Sequence, residues 1–135
     1  MPRIIWDQSY SVGVEKLDRQ HKKLIGMINE LSFAMRNDRG RDVVRDIVVE
    51  MVSYTQKHFA DEEKYLHDAK YLGLLQHLKE HEEFVRYSKD FEQRCQEGDF
   101  VLSLEVLNYL ADWWKRHILD SDRNYITALQ EKGFR

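Results

Sequence analysis

Five of the six histidines interrupt stripes of apolar residues that have helical spacing. In four segments of the chain, apolar residues recur every three and four positions, which is typical of helices with one buried face. The histidines that fall on these stripes are His21, His58, His77, His81 and His117. Glu62 lies on the same stripe as His58. Each buried imidazole without a hydrogen bond costs on the order of 1–3 kcal/mol, and an unpaired buried carboxylate costs more. Imidazoles and carboxylates together form a metal-ligand set, so the pattern indicates a buried metal site.

Four helices are needed to position these side chains. The only proline is Pro2, so no later segment loses a backbone donor, and Gly40, Gly73 and Gly98 separate the periodic stretches. We predict helices near residues 15–37, 41–66, 74–96 and 101–117, a short helix near 119–132, and an N-terminal arm over residues 1–14. Short connections between helices of similar length predict an all-α fold, an antiparallel up-down-up-down four-helix bundle with an N-terminal arm and a short C-terminal helix.

Antiparallel packing would bring the five histidines to one end of this bundle. His21, His77 and His81 lie early in the first and third helices, whereas His58 and His117 lie late in the second and fourth. The pairs His58/Glu62 and His77/His81 are each four residues apart, about 40° around a helix axis. Each pair therefore points to one side of its helix.

Asp122 is a further candidate whose spacing is unusual. It follows His117 by five residues, about 140° around a regular helix. It can reach the same centre only if the helix ends, kinks or bulges between the two residues. Spacing alone does not favour Asp122 over Asp120.

The composition fits one domain and excludes several functional classes. The chain has 135 residues, and its 21 Lys and Arg against 24 Asp and Glu leave no basic excess for binding nucleic acid. No apolar run is long enough to enter a membrane as a spanning helix, and the first residues lack the apolar region of a secretory signal. Cys95 is the only cysteine, so we expect no disulfide within the chain and a reducing cytoplasm as its setting.

The motifs around these residues resemble those of the bacterial hemerythrin family. The resemblance rests on His-Phe-Ala-Asp-Glu-Glu from His58, His-Leu-Lys-Glu-His from His77 and His-Ile-Leu-Asp-Ser-Asp from His117. Near the start of the chain, Trp6, Val-Gly-Val from Val12 and Asp-Arg-Gln-His from Asp18 also match. The resemblance covers essentially the whole chain and implies a single hemerythrin-like domain over residues 1–135.

This resemblance implies a centre of two non-haem iron ions, bridged by oxide or hydroxide, that binds O2 reversibly. His77, His81 and His117 would hold one iron, and His21 and His58 would hold the other. Glu62 and Asp122 would bridge the two irons. Together with the bridging oxide or hydroxide, the five imidazoles and two carboxylates fill all but one of the coordination positions of two six-coordinate irons. The open position must lie on the iron with two histidines. O2, or a small anion such as azide, would bind there.

The resemblance also implies a set of apolar side chains around the O2 site. The residues at the matching positions are Leu24, Phe59, Trp113 and Ile118, and Tyr125 matches a family tyrosine near the irons. Ordinary core packing would explain the same residues. An apolar pocket would keep water and protons away from the reactive ligand. The charged residues Lys79, Glu80, Glu82, Glu83 and Arg86 of the third helix are interpreted as a solvated face.

Several functions were compared with O2 carriage, storage or delivery. An H-x-x-E-H zinc peptidase would leave three of the buried histidines unexplained. A ferritin-like di-iron protein uses four carboxylates and two Glu-x-x-His pairs, and this sequence contains no Glu-x-x-His. An O2 or redox sensor needs an output domain, for which residues 1–135 leave no room, and a di-iron oxidase or peroxidase is a further alternative. We therefore expect a monomeric binding protein and not an enzyme, with an O2-consuming enzyme as a candidate partner.

Overall fold

Four long helices account for most of the structure, a computed structural model that describes residues 3–98 and 102–135. The helices are α1 (Glu15–Arg36), α2 (Gly40–Asp68), α3 (Leu74–Gln96), α4 (Leu102–Trp113) and the short α5 (Ile126–Glu131). The first three predicted helices are confirmed, each with ends within two residues of the prediction. The predicted start of the fourth helix at residue 101, and the first two residues of the arm, lie outside the described residues. The all-helical bundle is confirmed as well.

Short turns make consecutive helices run antiparallel. Between α1 and α2, Gly40 is packed so closely that a Cβ atom there would lie 2.7 Å from Met35 and 3.2 Å from Ser103 of α4. Between α2 and α3, Lys70 has a positive φ of 56°, and the Tyr71 N–H donates to the Leu66 carbonyl oxygen at 3.0 Å. Such a left-handed residue with a bond back into the last turn is a common way to end a helix. No described helix is long and apolar enough to span a membrane.

The fourth helix differs from the prediction of one helix to residue 117 and another from 119. After α4 the chain continues as a π-helical segment, Trp114–Ser121, and then as a 3-10 turn, Asp122–Tyr125, before α5 begins. The backbone therefore never leaves helical conformation between the two predicted helices. The irregularity is a widening of the helix and not a break, and it includes His117 and ends directly before Asp122.

The apolar interior consists of two clusters. The larger cluster fills most of the bundle and includes Leu24, Phe59, Phe84 and Ile118. The smaller cluster contains Val12, Val14, Leu17, Leu66, Ala69, Tyr125 and Leu129, so it joins the arm to α1, α2 and α5. In α1, His21 lies between Leu17 of the smaller cluster and Leu24 of the larger one. The buried histidines and acids form a polar layer between the two clusters.

Candidate metal centre

Seven side chains from the polar layer meet at one point inside the bundle. They form two groups, one of Glu62, His77, His81 and His117, and one of His21, His58, Glu62 and Asp122. Within each group, one nitrogen or carboxylate oxygen per residue lies within 4.8 Å of all the others. All seven residues are buried, and Glu62 belongs to both groups. The structure thus brings together every residue that the sequence analysis predicted as a ligand, and their role as ligands stays a prediction.

Glu62 turns one oxygen toward each group of histidines. Its Oε1 contacts His77 and lies 3.0 Å from His81 Nε2 and 3.9 Å from His117 Nε2. Its Oε2 lies 3.2 Å from His58 Nε2 and 3.6 Å from His21 Nε2. A carboxylate in this orientation can bind two cations at once, one through each oxygen.

Asp122 divides its two oxygens in the same way. Its Oδ1 is 2.9 Å from His77 Nε2 and 3.0 Å from His117 Nε2, and its Oδ2 is 3.1 Å from His21 Nε2. The π-helical segment makes this possible, because the Asp122 N–H donates to the carbonyl oxygen of His117. Residues five apart then lie close to one another along the helix. Asp120, which the spacing had left as an alternative, is exposed.

Three of the histidines are held from behind by hydrogen bonds at Nδ1. His58 Nδ1 is 2.6 Å from Gln20 Oε1, and His81 Nδ1 is 2.8 Å from Glu63 Oε2. His117 Nδ1 is 3.1 Å from Glu80 Oε1. With the proton on Nδ1, the Nε2 lone pair points into the centre, which is the arrangement that metal-binding histidines use.

The spacing of residues along the chain did not identify these outer partners. Glu80 in particular was interpreted as part of a solvated face, and this was wrong, because its side chain is only 24% exposed. Its Oε1 accepts hydrogen bonds from His117 and from the Ser121 hydroxyl, the latter at 2.7 Å. Burial raises the pKa of Glu80, but the hydrogen bonds to His117 and Ser121 outweigh it and the net shift is downward. The signal that could have identified Glu80 is its position between His77 and His81 on the same helix.

The centre carries charges and polar atoms that a metal cation would satisfy. His21 Nε2, His117 Nε2 and both Asp122 oxygens lack a hydrogen bond of good geometry within the described residues, although they lie close together. Burial lowers the pKa of His21, but the nearby carboxylates of Asp122 and Glu62, 3.1 and 3.6 Å from its Nε2, outweigh burial and raise that pKa to about 9. The same balance raises the pKa of His77 to about 9. Two buried carboxylates thus require positive charge, and the donor set fits metal ions.

Aromatic rings cover the group of three histidines. The Phe59 ring stacks on His81 with centroids 3.8 Å apart and planes 1° apart. The Trp113 ring stacks on His117 at 4.0 Å and 16°. Leu24 and Ile118 are buried in the same apolar cluster. The four residues predicted to line the O2 pocket are therefore all buried. Phe59 and Trp113 stack most closely on the three-histidine group, and the Phe59 ring also borders His58, with centroids 5.7 Å apart.

Two buried tyrosines approach the centre from different sides. The Tyr125 hydroxyl donates to Glu62 Oε2 at 3.1 Å, in agreement with the predicted position of this residue near the irons. The Tyr54 ring stacks on His58 with centroids 4.7 Å apart and planes 25° apart. No role was predicted for Tyr54 from the sequence. The sixth histidine, His67, has a side chain that is 81% exposed and lies outside the centre.

Comparison with known proteins gives one consistent result. A family model described as "Hemerythrin HHE cation binding domain" matches residues 12–129. The chain is 32% identical to the bacteriohemerythrin of Pseudomonas aeruginosa over 130 residues, which cover 96% of the chain and 84% of the relative. It is 32% identical to the bacteriohemerythrin of Clostridium acetobutylicum over 126 residues, which cover 90% of the chain and 98% of the relative.

More distant relatives agree in sequence and in fold. The chain is 30% identical to the myohemerythrin of Sipunculus nudus over 121 residues, which cover 90% of the chain and 89% of the relative. Its fold matches a crystal structure of a hemerythrin mutant with a TM-score of 0.83 at 23% identity, over 96% of the chain and 98% of the mutant.

Proposed function

The chain belongs to the hemerythrin family, and on that premise we propose that it binds O2 reversibly at a non-haem di-iron centre. The observation that supports this most directly is the division of the two carboxylates. Glu62 and Asp122 each present one oxygen to each group of histidines, and a pair of metal ions is the occupant that such an arrangement fits.

In this proposal His77, His81 and His117 hold one iron, and His21 and His58 hold the other. Glu62 and Asp122 would bridge the two irons together with an oxide or hydroxide. When bound, the iron pair would supply the electrons and the coordination position that O2 binding requires. This ligand set would leave the open position on the iron with two histidines, where a small anion such as azide would also bind.

The protein's own residues would orient the imidazoles and exclude water. Three histidines donate hydrogen bonds from Nδ1–H to Gln20, Glu63 and Glu80. These bonds direct each Nε2 toward the irons. The Tyr125 hydroxyl donates a hydrogen bond to Glu62 Oε2. Phe59 and Trp113 cover two imidazoles with apolar surface, which limits the access of water and protons.

We further propose that this O2 is carried, stored or delivered to an O2-consuming enzyme, and that the chain acts as a monomer in a reducing cytoplasm. The histidine-rich ligand set supports binding over oxidase or peroxidase chemistry, since the ferritin-like di-iron proteins use more carboxylates. The single cysteine supports the reducing compartment.

Elemental analysis and an optical titration test the proposal. The purified protein is expected to contain two irons per chain, and the reduced protein should gain an absorption band in air that disappears when O2 is removed. One zinc per chain with negligible iron, after growth in iron-replete medium, would refute the di-iron assignment. Continuous O2 consumption with added reductant and no lasting band would favour an oxidase or peroxidase.

A further inference from the structure

Tyr54 occupies a buried position beside the part of the centre that is predicted to bind exogenous ligands. It lies one turn before His58 in α2, and only 3% of its surface is exposed. Its ring stacks on His58 and is bordered by the rings of Phe59 and Phe84, with centroids 6.1 and 6.3 Å away. The ring is therefore fixed by packing against an imidazole of the two-histidine group.

The hydroxyl of Tyr54 has no hydrogen-bond partner within the part of the chain that the structure describes. Leaving a buried donor unsatisfied costs free energy, and native proteins rarely accept this cost without a reason. The Tyr125 hydroxyl, which is equally buried, donates to Glu62. The Tyr54 donor is therefore available to a group that is not part of the chain, and its ring is the one that stacks on a predicted ligand.

Burial and nearby negative charge keep this hydroxyl protonated. Burial raises the pKa of Tyr54 well above its usual value, and the charges of Glu62 and Asp122 raise it further. The hydroxyl is therefore a hydrogen-bond donor throughout the neutral range, and the ring that carries it is stacked on His58 of the two-histidine group.

We propose that the Tyr54 hydroxyl donates a hydrogen bond to the outer atom of the small ligand that occupies the open coordination position beside His21 and His58. This inference rests on the proposed function, which supplies both the open position and the ligand. Tyr54 is then a specificity-determining residue. It favours ligands whose outer atom accepts a hydrogen bond, such as azide or O2, over isosteric ligands whose outer atom accepts one poorly.

The choice of partner follows from the side chains that border the Tyr54 ring. Phe59 and Phe84 present only carbon atoms to the Tyr54 ring, so they provide no acceptor. Their apolar surfaces also disfavour water as a permanent partner, because a buried water needs two to four polar neighbours. A ligand bound beside His58 brings its own acceptor to this position only when it is present.

The substitution Tyr54→Phe tests the proposal because it removes the hydroxyl and keeps the stacked ring. Tyr109→Phe is a matched control, since the Tyr109 hydroxyl is also buried without a partner in the described residues. Within the described residues the Tyr109 ring packs against Tyr87, Phe91, Phe84 and Trp113, and it stacks on none of the predicted ligands. We expect the dissociation constant of azide for the oxidised protein to rise about tenfold in the Tyr54→Phe variant. The control should bind azide as the wild type does.

Thermal unfolding of the metal-free proteins separates this role from a structural one. If the hydroxyl has no partner in the chain, Tyr54→Phe should unfold at the wild-type temperature or above it. Unchanged azide affinity would overturn the proposal, as would weaker azide binding accompanied by a lower unfolding temperature. A crystal structure of the wild-type azide complex gives an independent answer, with Tyr54 Oη expected within hydrogen-bond distance of azide. A wild-type protein that holds two irons but never binds azide would instead refute the open position, and with it the proposed function.

Discussion

The backbone N–H of Asp122 donates a hydrogen bond to the carbonyl oxygen of His117, five residues earlier in the chain. In a regular helix these two side chains would point about 140° apart. The wider turn brings Asp122 Oδ1 to 3.0 Å from His117 Nε2. The π-helical segment thus determines which of the nearby aspartates reaches the centre.

Asp122→Asn should lower the iron content below two per chain, because the neutral amide cannot bridge two cations as a carboxylate does. Asp120→Asn is the matched control, since Asp120 is exposed, and it should retain full iron. Elemental analysis of both variants, grown side by side in iron-replete medium, measures the difference. Full iron in Asp122→Asn would remove Asp122 from the ligand set.

Leu24→Ala tests the predicted protective pocket. Leu24 is fully buried in the larger apolar cluster, so its truncation should cost roughly 2–5 kcal/mol of unfolding free energy. Two irons should still bind, since no ligand is lost. The absorption band formed in air should decay faster as water enters. His67→Ala, at an exposed position, should change neither iron content nor decay. A Leu24→Ala protein with full iron and wild-type decay would contradict the predicted role of the pocket.

Glu80→Gln addresses the hydrogen bonds behind the imidazoles. Losing the charged acceptor of the His117 Nδ1 proton should weaken iron binding by about 10–100-fold. Glu82→Gln is a suitable control, because Glu82 lies on the same helix and is exposed. The rate of iron loss to a chelator compares the variants with the wild type. Equal rates for Glu80→Gln and Glu82→Gln would show that the hydrogen bond from His117 to Glu80 does not affect iron retention.

The free energy of unfolding of the metal-free protein should decrease as the pH rises from about 6.5 to about 9. Burial opposes protonation of His21 and His77, but Asp122 and Glu62 raise both pKa values from 6.5 to about 9. A histidine whose pKa is higher in the folded than in the unfolded protein stabilises the fold fully below its unfolded pKa. This stabilisation is lost as the pH rises through its folded pKa. Below pH 6.5 the lowered pKa of His58, caused by burial, acts in the opposite sense.

Urea unfolding of the metal-free protein at pH 6.5 and pH 9.5 measures this loss. Loading with iron should remove most of the difference, because metal ions then replace the protons as partners of the carboxylates. Equal unfolding free energies at the two pH values in the metal-free protein would contradict the assignment of raised pKa values.

The spacing of apolar residues and histidines in the sequence predicted most of the fold and the composition of the centre, because both depend on periodicity. Apolar stripes broken by histidines locate the helices and the polar layer without any structural information. The orientation of Asp122 could not be predicted in this way, since no propensity encodes a hydrogen bond between residues five apart. The family resemblance selected Asp122, and the widened helix provides the physical reason.

The roles of Tyr54 and Glu80 could not be predicted from the sequence for a different reason. A tyrosine on an apolar stripe and a glutamate among other charged residues are both ordinary in a helical bundle. Their significance depends on a single atom, the unpartnered Tyr54 hydroxyl in one case and the Glu80 oxygen that faces His117 in the other. Such details follow from three-dimensional packing and not from the pattern along the chain.

The polar layer divides the apolar interior into two units that need not unfold together. The smaller unit, which contains Val12, Val14 and Leu129, is joined to the larger one across charged side chains and not through continuous apolar contact. With iron removed, we expect the amide protons of α5 to exchange with solvent far faster than those in the middle of α2, through a local opening. With iron bound, coordination bonds cross the layer, and the two exchange rates should converge.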